Sequence, residues 1–509
     1  MPALRTDGAV GVIGAGTMGA GIAQVAAAAG HPVLLFDVRP DAARRAIETI
    51  DGTLRRLVDK GKLEDRERSA LVGRISACED VAALAAAGLV VEAVVEDLAA
   101  KRSVFGELER IVDPDAILAS NTSSISITSI GSTLRRPDRL VGMHFFNPVP
   151  LMTLVEIVSG LATSPSVAET VFATAEAWGK RPVHAKSTPG FIVNRVARPF
   201  YAEALRVLQE GGGDIATLDA LMREAGGFRM GPFELMDLIG HDVNFEVTRS
   251  VYNAFYQDPR FTPSLIQQEL VAAGFLGRKS GRGFFRYDGG GERPEPRTAP
   301  AAPPPQRVVV HGDGGPLEAL RPLLEKTPGL AVSRSDGDGG DVRLAVDGRV
   351  TVALTDGRTA TQRTATGDGA PSVLVDLALD YAEAGRVAVA PADQAAPDDL
   401  AAAVGLFQAL GKAVSVLDDV PGLIVMRTVA MLANEGADAV YQGVCSAEAV
   451  DTAMRGGVNY PLGPMAWADR IGVGRVVAVL DHMAAIYGED RYRVSLLLRR
   501  RMFSGGTLR

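Results

Sequence analysis

The chain is short of cysteine: Cys78 and Cys445 are its only two in 509 residues. A lone, widely separated pair forms neither a disulfide framework nor a metal site with ligand spacing. Its stability must come from packed cores, and the expected setting is a reducing compartment, the cytoplasm, with no metal. Positive charge is also in deficit, with 53 Lys and Arg against 61 Asp and Glu, a formal net charge of -8 and a pI of about 5.5. The basic footprint that nucleic acid needs is therefore absent. Long uncharged runs are scarce. Ala9 to Gly30 is long enough for a membrane span, but six glycines and Gln24 interrupt it and its start reads as a short strand, so no membrane partner is expected. Hydrophobic residues at 47% and charged residues at 22% are ordinary for a globular chain, and the length suggests three or four domains.

Glycine is abundant, and its placement is informative. Ala9 to Ile13 reads as a strand, Gly14-Ala15-Gly16-Thr17-Met18-Gly19 as a turn, and the small residues up to Ala29 as a helix. This is GxGxxG between strand and helix. Gly14 permits the turn, Gly16 lets a pyrophosphate approach the backbone, and Gly19 lets helix and strand pack closely. A second strand, Val33 to Phe36, ends at Asp37, which is 18 residues after Gly19. An acid there accepts hydrogen bonds from the adenosine ribose hydroxyls and repels a 2′-phosphate, which predicts NAD as the cofactor.

Strand-type runs at Leu89 to Val95 and Ala116 to Ala119 alternate with helical sequence, so residues 1–186 read as a βαβ series on a parallel sheet. Glu92 and Glu96 end one of these strands and Asn121-Thr-Ser123-Ser124 follows the other. In open α/β sheets these carboxyl ends are where ligands bind. Val141 to Glu156 then carries His144 and Glu156 on adjacent extended segments, because Pro148 and Pro150 interrupt the run between them. A carboxylate bonded to one ring nitrogen leaves the other free as a base. Asp41 to Lys62 reads as an amphipathic helix with Thr53 and Lys60 on one face; by composition alone these two, like Lys279 in a glycine-rich turn, are solvated surface residues.

From Ser187 the pattern turns helical and continues to residue 287. A linker, 288–306, follows, with six prolines and three glycines and no need of structure of its own. The chain then repeats itself at an offset of 232: Gly179-Lys180 returns as Gly411-Lys412, Pro189-Gly190 as Pro421-Gly422, Arg195 as Arg427, Asp219 as Asp451, and Gly231-Pro232 as Gly463-Pro464. The helical domain is duplicated. Asn194, however, becomes Met426, and Gly312-Asp-Gly314-Gly misses the fingerprint. The expected architecture is a Rossmann-type α/β domain (1–186), an all-α helical domain (187–287), the linker, a degenerate small α/β domain (307–418) and a second, non-catalytic helical domain (419–509).

Taken in order, GAGTMGAGIAQV, LLFD, VVEAVVEDLAAK, SNTSSISIT, HFFNPVPLMTLVE and TPGFIVNR resemble the L-3-hydroxyacyl-CoA dehydrogenase family over residues 8 to about 287. The duplicated arrangement is similar to bacterial members acting on 3-hydroxybutyryl-CoA or 3-hydroxyadipyl-CoA, the latter in phenylacetate catabolism. The resemblance implies oxidation of an (S)-3-hydroxyacyl-CoA by NAD, with His144 and Glu156 as catalytic dyad and Ser123 and Asn194 on the substrate. It adds Glu96, Lys101, Ser123, Asn147 and Lys279 to the cofactor contacts made by Gly14 to Gly19 and Asp37. It places Thr53 and Lys60 on coenzyme A. Single-copy relatives pair through their helical domains, so an internal pseudo-dimer is expected here, alone or within a homo-oligomer. The competing expectations are a dehydrogenase of a hydroxy acid without coenzyme A and a dinucleotide-binding protein without catalysis.

Overall fold

The computed structural model describes residues 2–287, 294–335, 339–367 and 370–509. The chain forms two compact units, residues 1–195 with 442–458, and residues 196–441 with 459–509. Among the described residues no helix is long and apolar enough to cross a membrane.

The first unit is built on an eight-stranded sheet: β1 (Ala9–Ile13), β2 (Val33–Phe36), β3 (Ile75–Cys78), β4 (Ala87–Glu92), β5 (Ile117–Ser120), β6 (Leu140–Phe145), β7 (Leu154–Ser159) and β8 (Arg181–Lys186), ordered β3-β2-β1-β4-β5-β6-β7-β8. Strands β1 to β6 are parallel, as a βαβ series requires. The wholly parallel expectation fails at β7, which runs antiparallel to β6, the short Pro-containing link between them being too brief for a crossover. That reversal pairs His144 directly with Glu156. Val10, Val12, Leu89, Val91, Ala119, Val141 and Ile157 fill the core, all under 2% exposed. The expected helix 41–62 is shorter, Ala42–Asp59, because Gly61 takes the left-handed conformation (φ 64°) that ends helices; Lys60 is its C-cap.

The second unit contains a seven-stranded sheet: β9 (Arg307–His311), β10 (Ala331–Arg334), β11 (Arg343–Val346), β12 (Val350–Leu354), β13 (Ser372–Val375), β14 (Arg386–Pro391) and β15 (Ala413–Val416), ordered β10-β9-β11-β12-β13-β14-β15. Here β11 runs antiparallel to both neighbours, while β13, β14 and β15 repeat the directions of β6, β7 and β8. The registers match at the same offset of 232: Leu154 pairs with Arg181, and Arg386 with Ala413. The helix Arg198–Gln209 packs against Val425–Tyr441 within this unit. Arg427 on the latter, fully buried, donates to Glu203 at 2.7 Å and Glu210 at 2.9 Å.

The Pro-rich linker is described from Pro294 and hydrogen-bonded from Arg297 on; its residues 288–293 lie outside those described. It docks through carbonyls and amides alike: Ala299 and Pro300 accept from Gln408 Nε2 and Arg297 from Ser415 Oγ, while the amides of Arg297, Ala299 and Ala302 donate to Thr217 Oγ1, Val414 O and Gln408 Oε1. The carbonyl of Pro303 lies where any side chain at Gly405 would have to be.

Candidate active site

The dinucleotide end of the first unit begins with Gly14, at φ 98°, where an added Cβ would meet the Ala93 carbonyl at 2.5 Å. A Cβ on Gly19 would overlap the carbonyl of Gly14. Gly16 differs: its Cβ would meet nothing within 4 Å. Packing does not demand that glycine, so the open space beside it suits a group approaching the backbone. Gly16 also heads the helix Thr17–Ala28, whose first turn no side chain caps, leaving N–H groups for an anion. Asp37 accepts from Ala15 N at 2.7 Å and from the guanidinium of Arg39 through both oxygens at 3.0 Å. Burial pushes its carboxyl up, but the Arg39 hydrogen bonds and the two amides outweigh this and hold it below the usual range. The residues present fit a nicotinamide dinucleotide with an unphosphorylated ribose.

Behind the turn lies a buried polar cluster. Lys101, 1% exposed, donates to Glu92 Oε1 at 2.7 Å and pairs with Glu96 Oε2 at 3.2 Å. Glu92 also takes Ser120 Oγ at 2.6 Å. Glu96 Oε1 gathers Thr122 Oγ1 at 2.7 Å and the amides of Ser123 and Ser124 at 2.9 and 3.1 Å, bending the chain after β5 around one carboxylate. Burial opposes its ionisation, yet Lys101 and these donors keep Glu96 below the ordinary carboxylate range. Lys101 thus acts on the site through Glu96. Glu92, Ser120 and Thr122 complete the cluster; Glu92 stood at the right strand end in the sequence, but nothing there marked its burial against a lysine.

The reacting end is assembled on β6, β7 and the turn at Pro189-Gly190. His144 Nδ1 meets Glu156 Oε2 at 2.6 Å, with His144 5% exposed and Glu156 fully buried. A carboxylate only accepts, so Nδ1 carries the hydrogen and Nε2 is left as the basic nitrogen. The other oxygen, Oε1, accepts from Ile192 N and Val193 N, both at 2.9 Å. Phe191, at φ 47°, and Gly190, at φ 72°, aim those amides. Phe146 and Phe191 flank the imidazole, ring centroids 4.5 and 5.9 Å away. Asn194 Nδ2 lies 3.3 Å from the Ser123 carbonyl, which brings Asn194, Ser123, His144 and Glu156 into one place.

The remaining sequence-derived residues are dispersed. Asn147 is exposed just beyond β6. Thr53 is exposed on its helix, its hydroxyl spent on Thr49 O at 2.9 Å. Lys60 follows at the helix end. Lys279 belongs to the second unit, where its ammonium donates to Asp242 at 2.7 Å.

One contributor escaped the sequence reading. The helix Ala447–Val458, from the second helical copy, belongs to the first unit and packs on β7 and β8. Gly457 sits so close that a Cβ would touch Leu154 and Val193. Gln442 accepts from Arg195 at 2.9 Å. Burial, with Glu156 adding to it, pushes the Cys445 thiol up to about 12, so it is inert. The repeat equates this helix with Ile215–Glu224, which packs on β14 in the second unit. The two copies make the same backbone bond, Lys186 N to Val444 O and Asp418 N to Gly212 O, at 2.9 and 3.1 Å.

Residues 9–188 match the family described as "3-hydroxyacyl-CoA dehydrogenase, NAD binding domain", and residues 190–287 and 422–508 its "C-terminal domain". Residues 352–421 match "3-hydroxybutyryl-CoA dehydrogenase reduced Rossmann-fold domain". A 3-hydroxyadipyl-CoA dehydrogenase of Escherichia coli (strain K12) is 45% identical over 97% of this chain and 97% of its own length. A 3-hydroxybutyryl-CoA dehydrogenase of Bradyrhizobium diazoefficiens is 42% identical, covering 55% of this chain and 95% of itself. Among solved structures, a 3-hydroxybutyryl-CoA dehydrogenase from Escherichia coli K12 matches with TM-score 0.89 and 42% identity over 99% of this chain and 100% of that one.

Proposed function

Since the chain belongs to the 3-hydroxyacyl-CoA dehydrogenase family, we propose that its first half oxidises the hydroxyl of an (S)-3-hydroxyacyl-CoA to the 3-oxo thioester with NAD, in fatty-acid β-oxidation or phenylacetate-type catabolism. The observation that carries this reading is the His144–Glu156 contact beside Ser123 and Asn194. Bound NAD supplies the acceptor for the hydride leaving C3. His144 Nε2 takes the hydroxyl proton, and Glu156 stabilises the imidazolium that results; such base assistance contributes about 10²- to 10⁴-fold. Ser123 and Asn194 hydrogen-bond the substrate oxygens and position C3. Asp37 holds the ribose and Gly14 to Gly19 the pyrophosphate, while Glu96, kept ionised by Lys101, fixes the loop carrying Ser123. Asn147 and Lys279 complete the cofactor set and Thr53 and Lys60 hold coenzyme A, as in the family resemblance.

We assign residues 1–186 to the NAD-binding domain, 187–287 and 419–509 to the two helical domains and 307–418 to a sheet domain without cofactor or catalysis. The second helical copy takes the place a partner subunit would hold, as a pseudo-dimer inside one chain. The Arg427–Glu203 pair and the matched backbone bonds at Lys186 and Asp418 support this. Two free thiols, Cys78 and Cys445, favour the cytoplasm.

The test is NADH formation from (S)-3-hydroxybutyryl-CoA at 340 nm, with the free acid and NADP as controls. Activity confined to the thioester with NAD is expected. Equal rates with the free acid would favour a hydroxy-acid dehydrogenase, and no turnover a non-catalytic protein. A chain ended after Tyr287 should self-associate or aggregate; a fully active monomer by light scattering would end the pseudo-dimer reading.

A further inference from the structure

The duplicated helical domains make two related surroundings, and one of them has an excess of cation. In the second unit a cavity of about 210 Å³ is bounded by the helix Arg198–Gln209, Thr248, the segment Thr262–Leu265 and Arg491. Arg198, only 5% exposed, reaches Thr248 Oγ1 at 3.1 Å and lies 5.0 Å from the centre of the Tyr201 ring. No carboxylate among the described residues pairs with it, and its Nε has no hydrogen-bond partner. Arg491, 6% exposed, also leaves Nε without a hydrogen bond, and Glu489, 3.5 Å away, is shared with Arg206 at 3.1 Å. Ser264, which heads the helix Leu265–Ala272, has a buried hydroxyl with no partner. Nearby Glu203 hydrogen-bonds to Arg427 and Tyr492, and its charge also acts on Arg491 without a hydrogen bond to it. Buried donors normally find acceptors, and a buried guanidinium normally finds an anion.

The related surroundings share one of these open positions, since Arg260 Nε also has no hydrogen-bond partner, and lack the others. At an offset of 232, Arg198 becomes Ala430, Arg206 becomes Asp438 and Thr248 becomes Leu480. The counterpart of Arg491, one residue out of that register, is Arg260, which is held by Glu435, Asp438 and the Arg493 carbonyl. The counterpart of Ser264 is Ser495, whose hydroxyl accepts from Leu497 N at 3.3 Å. The second copy thus replaces Arg198 and Thr248 by apolar side chains and gives its remaining arginine two carboxylates and its serine an amide. Among the described residues the first copy combines an arginine without a carboxylate and a serine hydroxyl without a partner around a cavity.

We propose that this cavity binds the carboxylate of an aliphatic organic acid, with Arg198 as its main partner and Arg491 and Ser264 as supporting donors. A planar guanidinium matches a carboxylate through two parallel hydrogen bonds. Tyr201, Leu205 and Leu265 add an apolar wall that suits a hydrocarbon chain better than an inorganic ion. The carboxylate has two sources: a free acid, or the far end of a dicarboxylic acyl-CoA. The second source rests on the function proposed above.

Calorimetric titration of the full chain with hexanoate, adipate and inorganic phosphate, joined to KM and kcat for 3-hydroxyadipyl-CoA and 3-hydroxybutyryl-CoA, tests both sources. If the acid is free, hexanoate and adipate bind the parent, bind Arg198→Met and Ser264→Ala more weakly, by about tenfold or more for Arg198→Met, and leave both KM values unchanged. If it is the acyl end, Arg198→Met raises KM for 3-hydroxyadipyl-CoA by about tenfold or more at nearly constant kcat and spares 3-hydroxybutyryl-CoA. Removing an unpaired buried charge should leave the Arg198→Met protein melting no lower than the parent, whereas a purely structural arginine would lower it. Failure of the parent to bind either acid with both KM values unmoved overturns the proposal, as does phosphate binding as tightly as hexanoate. Parent turnover of 3-hydroxybutyryl-CoA reports on the enzymatic reading separately.

Discussion

The carboxylates of Glu156 and Asp376 cap the same turn in the two halves from opposite strands. In the first half Glu156, on β7, accepts the amides of Ile192 and Val193 and spends its other oxygen on His144. In the second, Asp376 accepts from Ile424, Val425 and Met426 at 2.7 to 3.0 Å. Asp376 stands at the register position of His144, since its amide bonds to Ala388 O and Ala388 is the counterpart of Glu156. Leu423, at φ 52°, repeats the conformation of Phe191. The buried helix start needs a carboxylate in both copies, because orphan N–H groups there are costly. Only one copy adds an imidazole. Glu156 therefore caps the turn as Asp376 does in the second half, and its contact with an imidazole has no counterpart there.

The comparison breaks most sharply if the second arrangement is transplanted into the first. His144→Asp with Glu156→Ala should keep the cap, and with it the fold and NAD binding, while turnover falls about 10²- to 10⁴-fold. Steady-state rates beside fluorescence titration of NAD check this, and turnover close to the parent's would dismiss the pair as catalytic.

Stability separates the halves next. Arg427→Met removes the cation hydrogen-bonded to buried Glu203 and should cost about 3–5 kcal/mol in urea unfolding. A loss under about 1 kcal/mol, the range of exposed pairs, would show the buried network to be dispensable.

The reverse transplant has a smaller effect. Met426→Asn buries an amide among apolar neighbours and should cost about 1–3 kcal/mol, with one NAD still bound per chain. A second NAD by equilibrium dialysis would contradict the reading of the second half as inactive.

The finest distinction is pH. Burial, opposed by the Val425, Met426 and Ile424 amides, pushes Asp376 up to about 6. Its folded form then holds a proton that the unfolded chain, at an ordinary carboxylate pKa, releases. Its contribution is full below about pH 4 and declines as pH rises through about 6. The stability penalty of Asp376→Ala should accordingly be larger at pH 4 than at pH 7, and an equal penalty at both would remove the coupling.

Much of the first half was legible in the chain. GxGxxG, Asp37, NTSS and the His144–Glu156 segment carry their chemistry in residue type and local spacing, and strands β6 and β7 were expected where they lie. The antiparallel turn of β7, the end of the helix at Asp59 rather than Lys62, and the docking of residues 294–306 were not. Each of these depends on how chain direction or backbone hydrogen bonds are completed by distant partners. The repeat announced that the halves are related and that Asn194 had become Met426. It did not show that Asp376 replaces the cap.

By itself the sequence determined which residue types stand where and in what order: a glycine turn between strand and helix, an acid at the end of the second strand, a histidine and a glutamate on adjacent strands, and a second copy without them. Periodicity and turn residues act over a few neighbours, and that suffices for such local patterns. Tertiary structure alone decided that Lys101 is buried behind Glu96, that the helix Ala447–Val458 backs the strands of the His144–Glu156 pair, and that Arg198 faces a cavity rather than a carboxylate. Those outcomes depend on burial and hydrogen bonding between residues far apart in the chain, and neither is written in the neighbourhood of any one of them.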